Sequence, residues 1–345
     1  MMSKYPLLGM TLIELQSLVK RLGMPGFAAK QIASWLYDKK VTSIDEMTNL
    51  SLKYRELLKQ NYEVGAEAPV EEMRSVDGTV KYLYPVGENH FVESVYIPDD
   101  ERATLCISSQ VGCKMNCKFC MTGKQGYSAN LTAHQIINQI HSLPERDKLT
   151  NVVMMGMGEP LDNFENVVKF LRLVSDDNGL NIGMRHITIS TCGIVPKIYE
   201  LAKLHFGITL SVSLHAPNDT IRQKTMPIAK RYSMDELLKA CKDYFDITGR
   251  RVTFEYSMIS GVNDFDRDAY ELADRLADMN CHVNLIPVNT VDGTGYKKSS
   301  IERQQAFVNI LGRKHIAATV RRTLGSDINA SCGQLRRNHT NEGGK

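Results

Sequence analysis

The stretch Arg102-Ala-Thr-Leu-Cys106-Ile-Ser-Ser-Gln-Val-Gly-Cys113-Lys-Met-Asn-Cys117-Lys-Phe-Cys120 decides how the chain is read. Thr104 to Ser109 has the short apolar character of a buried strand, and it runs straight into three cysteines spaced C-x3-C-x2-C. Thiolates packed this closely reach one compact metal centre only by sharing it. A strand that delivers ligands at its C-terminal end suits a parallel α/β barrel, where chemistry collects on that face.

Working downstream, the same strand-then-helix order repeats. Asn151 to Met155, His186 to Ser190, Ile208 to Ser213, Arg251 to Met258 and His282 to Ile286 read as strands with helical stretches between them. With the first strand these make six units, so the expected fold is α/β: a partial (β/α)6 barrel over residues 101–325. Unusual residues cluster where these strands end. Gly156-Met-Gly158-Glu159-Pro160 follows the second, Ser190-Thr-Cys-Gly193 the third, Ser213-Leu214-His215 the fourth and Pro287-Val-Asn289 the sixth.

Upstream, Thr11 with Glu14 has the form of a capping box, and Leu12, Leu15, Val19 and Leu22 follow at helical spacing. Pro25-Gly26 interrupts; Ala28, Ile32 and Leu36 mark a second helix, and Ser51 to Tyr62 a third. Residues 1–65 are therefore expected to form a small helical accessory domain. From Val70 the period changes to that of short antiparallel strands, giving a β extension or linker over 66–100. Residues 326–345 are expected to be a C-terminal loop and polar tail.

The chain has 345 residues, 43% of them hydrophobic, with a formal charge of +3 and eight cysteines. That is enough to bury one large core, and the charge leans only weakly toward an anionic partner. The first residues lack the pattern of a secretory signal, and no apolar run approaches the ~18 residues of a membrane span. A soluble, cytoplasmic, monomeric protein is expected. Cysteine usage of this kind suits metal ligands plus separate thiols rather than a disulfide framework.

Cys113, Cys117 and Cys120 carry the radical S-adenosylmethionine (radical-SAM) spacing, so the barrel is expected to be a radical-SAM barrel. Three ligands on a 4Fe-4S cluster leave one iron open to chelate S-adenosylmethionine (SAM). The plainer reading is zinc, which ordinarily takes four closed ligands, and no second cysteine pair lies nearby.

The chain resembles the dual-specificity 23S ribosomal RNA and transfer RNA adenine-C2 methyltransferases of the radical-SAM superfamily. The resemblance runs over nearly the whole chain, through Arg102 to Cys113, Gly156 to Pro160, Ser213 to His215, Asn284 to Asn289 and Ala330-Ser-Cys332-Gly-Gln-Leu335. It implies an adenosine of the peptidyl-transferase centre in 23S rRNA and the adenosine 3′ to the anticodon in tRNA as substrates. Two SAM molecules are used per turnover, and a flavodoxin-type reductant supplies electrons. By the same resemblance Cys332 is a methyl carrier, methylated by displacement. Radical activation of that methyl group links Cys332 to the adenine. Glu93 is then the proton acceptor, and Cys106 the resolving thiol that releases the product through a transient disulfide with Cys332. Gly158, Glu159, Ser190, Ser213, Leu214, His215 and Asn289 are expected around SAM.

Each of these residues also has a plainer reading. Glu93 could be a solvent-facing strand residue, Cys106 a packed core thiol, and Ser190 or Asn289 strand-end turn chemistry. Cys332 sits in a polar, glycine-rich stretch that reads as an exposed loop. Lys224, Lys230-Arg231, Lys297-Lys298, Arg321-Arg322 and Arg336-Arg337 could neutralise phosphates, although such pairs are more often solvated surface. Lys30 and Trp35 of the helical domain are candidates for gripping folded RNA. Three functional alternatives stay open: adenine-C8 methylation by a related resistance family, radical-SAM chemistry on a small molecule or protein, and a non-catalytic zinc-stabilised RNA-binding module.

Overall fold

The computed structural model describes residues 4–87, 89–289, 295–331 and 334–335. Within them one ten-stranded sheet runs through the molecule. In chain order its strands are β1 (Glu71–Arg74), β2 (Val80–Pro85), β3 (Phe91–Pro98), β4 (Ala103–Cys106), β5 (Asn151–Met154), β6 (Ile187–Thr191), β7 (Thr209–Ser213), β8 (Val252–Met258), β9 (Cys281–Pro287) and β10 (Ala317–Val320). Each strand lies beside its sequence neighbour. β1 to β4 pair antiparallel and β4 to β10 pair parallel.

The six expected parallel strands are all present, and β10 adds a seventh. Its residues alternate poorly between buried and exposed, so period alone does not reveal it. Residues 71–98, expected as short antiparallel strands in a β extension or linker, are three antiparallel strands that extend the main sheet. The sheet stays open among the described residues, because β4 continues into β3 on its outer side and does not pair with β10.

Helices cover the sheet as right-handed crossovers require. Ala133–His141, Phe164–Ser175, Val195–Ala202, Met234–Thr248, Asp266–Leu276 and Ile301–Arg313 are α-helical. Phe164–Ser175 buries Val167, Val168, Phe170, Leu171, Leu173 and Val174 as one stripe. Met234–Thr248 begins with a Ser233/Glu236 capping box and ends at Gly249, whose φ of +66° suits glycine.

The N-terminal helices are Leu12–Arg21, Ala28–Ala33 and Leu52–Lys59, the first with the expected Thr11/Glu14 capping box. The second continues into a wider turn over Ser34–Asp38. These helices pack against the barrel helices: Lys169 Nζ pairs with Glu14 at 2.7 Å and Lys40 Nζ with Asp147 at 2.8 Å. Asn138 also exchanges hydrogen bonds with the Glu67 backbone. Among the described residues no helix is long and apolar enough to cross a membrane.

Candidate active site

The ends of β5 to β9 open into a cavity of about 160 Å³, and Cys113, Cys117 and Cys120 all line it. The loop bearing them is fixed by its own backbone. Cys113 N donates to Gly126 O at 3.0 Å, Cys120 N to Cys117 O at 3.1 Å, and Lys118 N to Thr225 O at 2.9 Å. Burial pushes the Cys113 thiol up to about 12 and raises the Cys117 thiol as well, so these sulfurs ionise readily only beside a cationic centre. Among the described residues no three His, Cys, Asp or Glu side chains converge closely enough to hold a single metal ion.

The same cavity is lined by most of the expected SAM residues: Gly158, Glu159, Ser190, Ser213, His215 and Asn289. Leu214 is not in the lining. Its side chain is fully buried, and its backbone N–H donates to Glu255 O at 3.0 Å. Glu159 is also more occupied than expected. One carboxylate oxygen accepts from Leu161 N at 3.0 Å and the other from Cys192 N at 2.7 Å. Burial raises its pKa, and the Cys192 and Leu161 N–H groups oppose that rise.

His215 accepts the Ser257 N–H on Nδ1 at 2.8 Å, which leaves the proton on Nε2. Burial, aided by Arg222, lowers its pKa to about 3, so the ring is neutral. Phe119, between two of the cysteines, packs edge-on against it with centroids 4.8 Å apart. The glycines of the Gly156-Met-Gly158 turn line the cavity and also let neighbouring backbone pack closely. A Cβ on Gly156 would lie 2.6 Å from Ile107 O, and one on Gly158 2.7 Å from Gln110 N at a φ of +102°.

A second cavity of about 230 Å³ adjoins the first, and Met155, Ile286, Asn289 and Arg321 line both. Cys106 opens onto it, together with Val95, Ile97, Ala330, Ser331 and Leu335. Cys332 itself lies outside the described residues. Its neighbours are only in part the exposed loop expected from sequence: Ser326, Asp327 and Asn329 are exposed, while Ile328, Ala330, Ser331 and Leu335 are buried. The segment is strapped at both ends. Gly325 N donates to Asp77 at 2.7 Å and Ser75 Oγ to Asp327 at 2.6 Å, while Thr122 Oγ1, beside the cluster loop, donates to Leu335 O at 2.9 Å.

Glu93 is not solvent-facing. It is 7% exposed and pairs with Lys81 Nζ at 3.0 Å. Two arginines have placements that the sequence does not reveal. Arg321, read as half of a surface pair, is half-buried between the two cavities. Arg222 is fully buried and donates to the carbonyls of Cys192, Leu214 and Ser213 at 2.7, 3.2 and 3.3 Å, tying the ends of β6 and β7. Only its position one helical turn after Asn218 gave a signal. Arg336-Arg337 lies outside the described residues. Trp35 is half-buried under Lys39, whose Nζ sits 3.6 Å from the ring centroid.

Sequence comparison matches residues 107–273 to the Radical SAM superfamily and residues 5–64 to the Ribosomal RNA large subunit methyltransferase N-terminal domain. A Bacteroides thetaiotaomicron protein named probable dual-specificity RNA methyltransferase RlmN is 64% identical, over 97% of this chain and 97% of its own length. The chain belongs to the RlmN family of radical SAM methyltransferases. A Bacteroides fragilis protein of the same name is 56% identical over the same share of both chains. The crystal structure of a radical SAM methyltransferase from Sphaerobacter thermophilus superposes with a TM-score of 0.93 at 42% identity, covering 96% of this chain and 99% of that one.

As a radical SAM enzyme of the RlmN family, the chain uses a 4Fe-4S cluster and SAM. The donor set fits this pair: three half-buried thiols line one cavity with the strand-end Ser190, Ser213 and Asn289.

Proposed function

We propose that this chain methylates C2 of adenosine in 23S rRNA at the peptidyl-transferase centre, and in tRNA at the adenosine 3′ to the anticodon, through a methylated cysteine. The observation that carries the reading is the shared cavity of Cys106 and the residues bracketing Cys332, which abuts the cysteine-lined chamber. Adenine C2 is neither nucleophilic nor acidic, so a polar displacement does not reach it and a carrier thiol gives a chemical route. The relatives' printed name, a dual-specificity RNA methyltransferase, supports the substrate class.

Cys113, Cys117 and Cys120 would hold the cluster, while Gly158, Glu159, Ser190, Ser213, Leu214, His215 and Asn289 surround SAM, Leu214 through its backbone. When bound, these groups supply the radical that activates a methyl group. Cys332 takes that methyl group from a first SAM by displacement, and a second SAM is consumed in the same turnover. The activated carbon on Cys332 bonds to adenine C2, and Glu93 accepts the C2 proton while the unpaired electron returns to the redox centre that supplied it. Cys106 attacks the Cys332 sulfur, so that an S–S bond forms as the bond between Cys332 and the product carbon breaks. The carbon takes a proton, and a reductant of the flavodoxin type resets the disulfide. The target base leaves its stack to reach Cys332. The helical domain, with Lys30 and Trp35, grips folded RNA, and the enzyme works as a cytoplasmic monomer.

The test is mass spectrometry of RNA adenosine after incubation with anaerobically reconstituted enzyme, reductant and deuteromethyl SAM. A C2-methyl group retaining two donor deuteriums is expected, since one is removed on the carrier cysteine. Three deuteriums would mean direct transfer, and a C8 product would assign the related resistance chemistry.

A further inference from the structure

Residues directly opposed in an antiparallel pair share a face, as do residues two apart along a strand. Val95 of β3 faces Cys106 of β4 and Lys81 of β2, and Glu93 lies two residues from Val95. Lys81, Glu93, Val95 and Cys106 therefore occupy one face of the sheet. The C-terminal strap covers that face next to them: a Cβ on Gly325 would come within 3.0 Å of Thr79 Cγ2 and 2.8 Å of Ala330 Cβ. The opposite face, with Tyr82 and Tyr84, looks toward the helix Ala133–His141, where Tyr84 donates to Gln139 O.

On this covered face the ion pair between Lys81 and Glu93 has both side chains only 10% exposed. Such depth is costly for two long charged side chains unless they compensate each other. Resting on the reading of Glu93 as proton acceptor, we propose that Lys81 is a positioning residue for the reaction: its ammonium keeps Glu93 a carboxylate, held on the face it shares with Cys106. A carboxyl group buried without a cation keeps its proton into the neutral range and cannot accept another. With the cation beside it, the carboxylate is ready at neutral pH. Once it has taken the C2 proton, the ammonium stands uncompensated, which favours early loss of that proton and resetting of the base.

Other ionisable groups on the surrounding elements have engagements of their own. Asp77 accepts from Gly325 N, Asp327 from Ser75 and Val76, and Arg322 pairs with Asp99 at 3.1 Å. Cys106 and Arg321 line the adjoining cavity.

The experiment follows the protein–RNA adduct in the reconstituted full-length enzyme as a function of pH, by denaturing gel and mass. In Lys81→Met the adduct should accumulate at neutral pH, and its resolution should recover at higher pH. The acidic limb should move up by about 1–3 pH units. Lys81→Arg keeps the charge and should keep the parent profile. The double variant Lys81→Met/Glu93→Gln, which removes both buried charges and so tests the pair even if Lys81→Met folds poorly, should resolve adduct no more slowly than Glu93→Gln alone. If Glu93→Gln resolves adduct like the parent, the proton-acceptor reading falls and this proposal with it. If Glu93→Gln traps adduct while Lys81→Met keeps the parent pH profile, or loses rate equally at every pH, only the role of Lys81 falls.

Discussion

The Glu159 carboxylate accepts the backbone N–H of Cys192 at 2.7 Å, bridging the ends of two neighbouring parallel strands at the cavity wall. Its other oxygen caps Leu161 N. In Glu159→Gln one of these N–H donors must face an amide NH2 and lose its acceptor. We expect a loss of roughly 1–3 kcal/mol of stability, read from urea unfolding of the apo-protein, together with weaker SAM binding in equilibrium dialysis. Unchanged values in both would mean that the two contacts carry no weight.

Replacing a ligand cysteine should separate metal from fold. Because the loop is held by backbone hydrogen bonds from Cys113, Lys118 and Cys120, Cys117→Ser should lose iron and sulfide after anaerobic reconstitution while its far-UV circular dichroism stays that of the parent apo-protein. Full iron and sulfide in the variant would remove Cys117 from the ligand set.

Cys106 and Cys332 should divide the reaction. Cys332→Ala is expected to abolish RNA methylation yet retain the cluster and reductive SAM cleavage. Cys106→Ala should accumulate a covalent protein–RNA adduct on a denaturing gel. Loss of the cluster in the first variant, or no adduct in the second, would contradict the separation of carrier and resolving roles.

His141 predicts an acid sensitivity unrelated to catalysis. It is 1% exposed, and among the described residues neither ring nitrogen has a hydrogen-bond partner. Burial, with Arg146 nearby, lowers its pKa to about 4. The unfolded chain binds this proton from about pH 6.5 downward and the folded chain only near pH 4. Stability from this residue is therefore complete above about pH 6.5 and falls as the pH drops toward 4, by about 3 kcal/mol in all. His141→Leu should flatten urea midpoints across that window. A variant as acid-sensitive as the parent would assign the effect to other groups.

Much of the fold could be read along the chain because its signals are local. The six strands, the Thr11 cap and the cysteine run each lie within a few consecutive residues, where periodicity and spacing act directly. β10 escaped because its burial does not alternate, and the antiparallel strands over 71–98 could be read as strands but not as part of the main sheet, because sheet membership depends on a partner strand. Glu93 shows the same limit within the site: a strand pattern cannot tell which face another segment will cover.

What the sequence by itself determined was the chemistry: three cysteines spaced to share a centre, strand ends that gather polar residues, and a family resemblance running from Arg102 to Leu335. Only the tertiary structure decided which groups work together. It paired Lys81 with Glu93, buried Arg222 behind the strand ends, set Arg321 between the two cavities and strapped the approach to Cys332 from Asp77 to Thr122. Those contacts join residues up to 248 positions apart. Hydrogen bonds and ion pairs at such separations depend on how the chain closes on itself, and so leave no periodic trace along it.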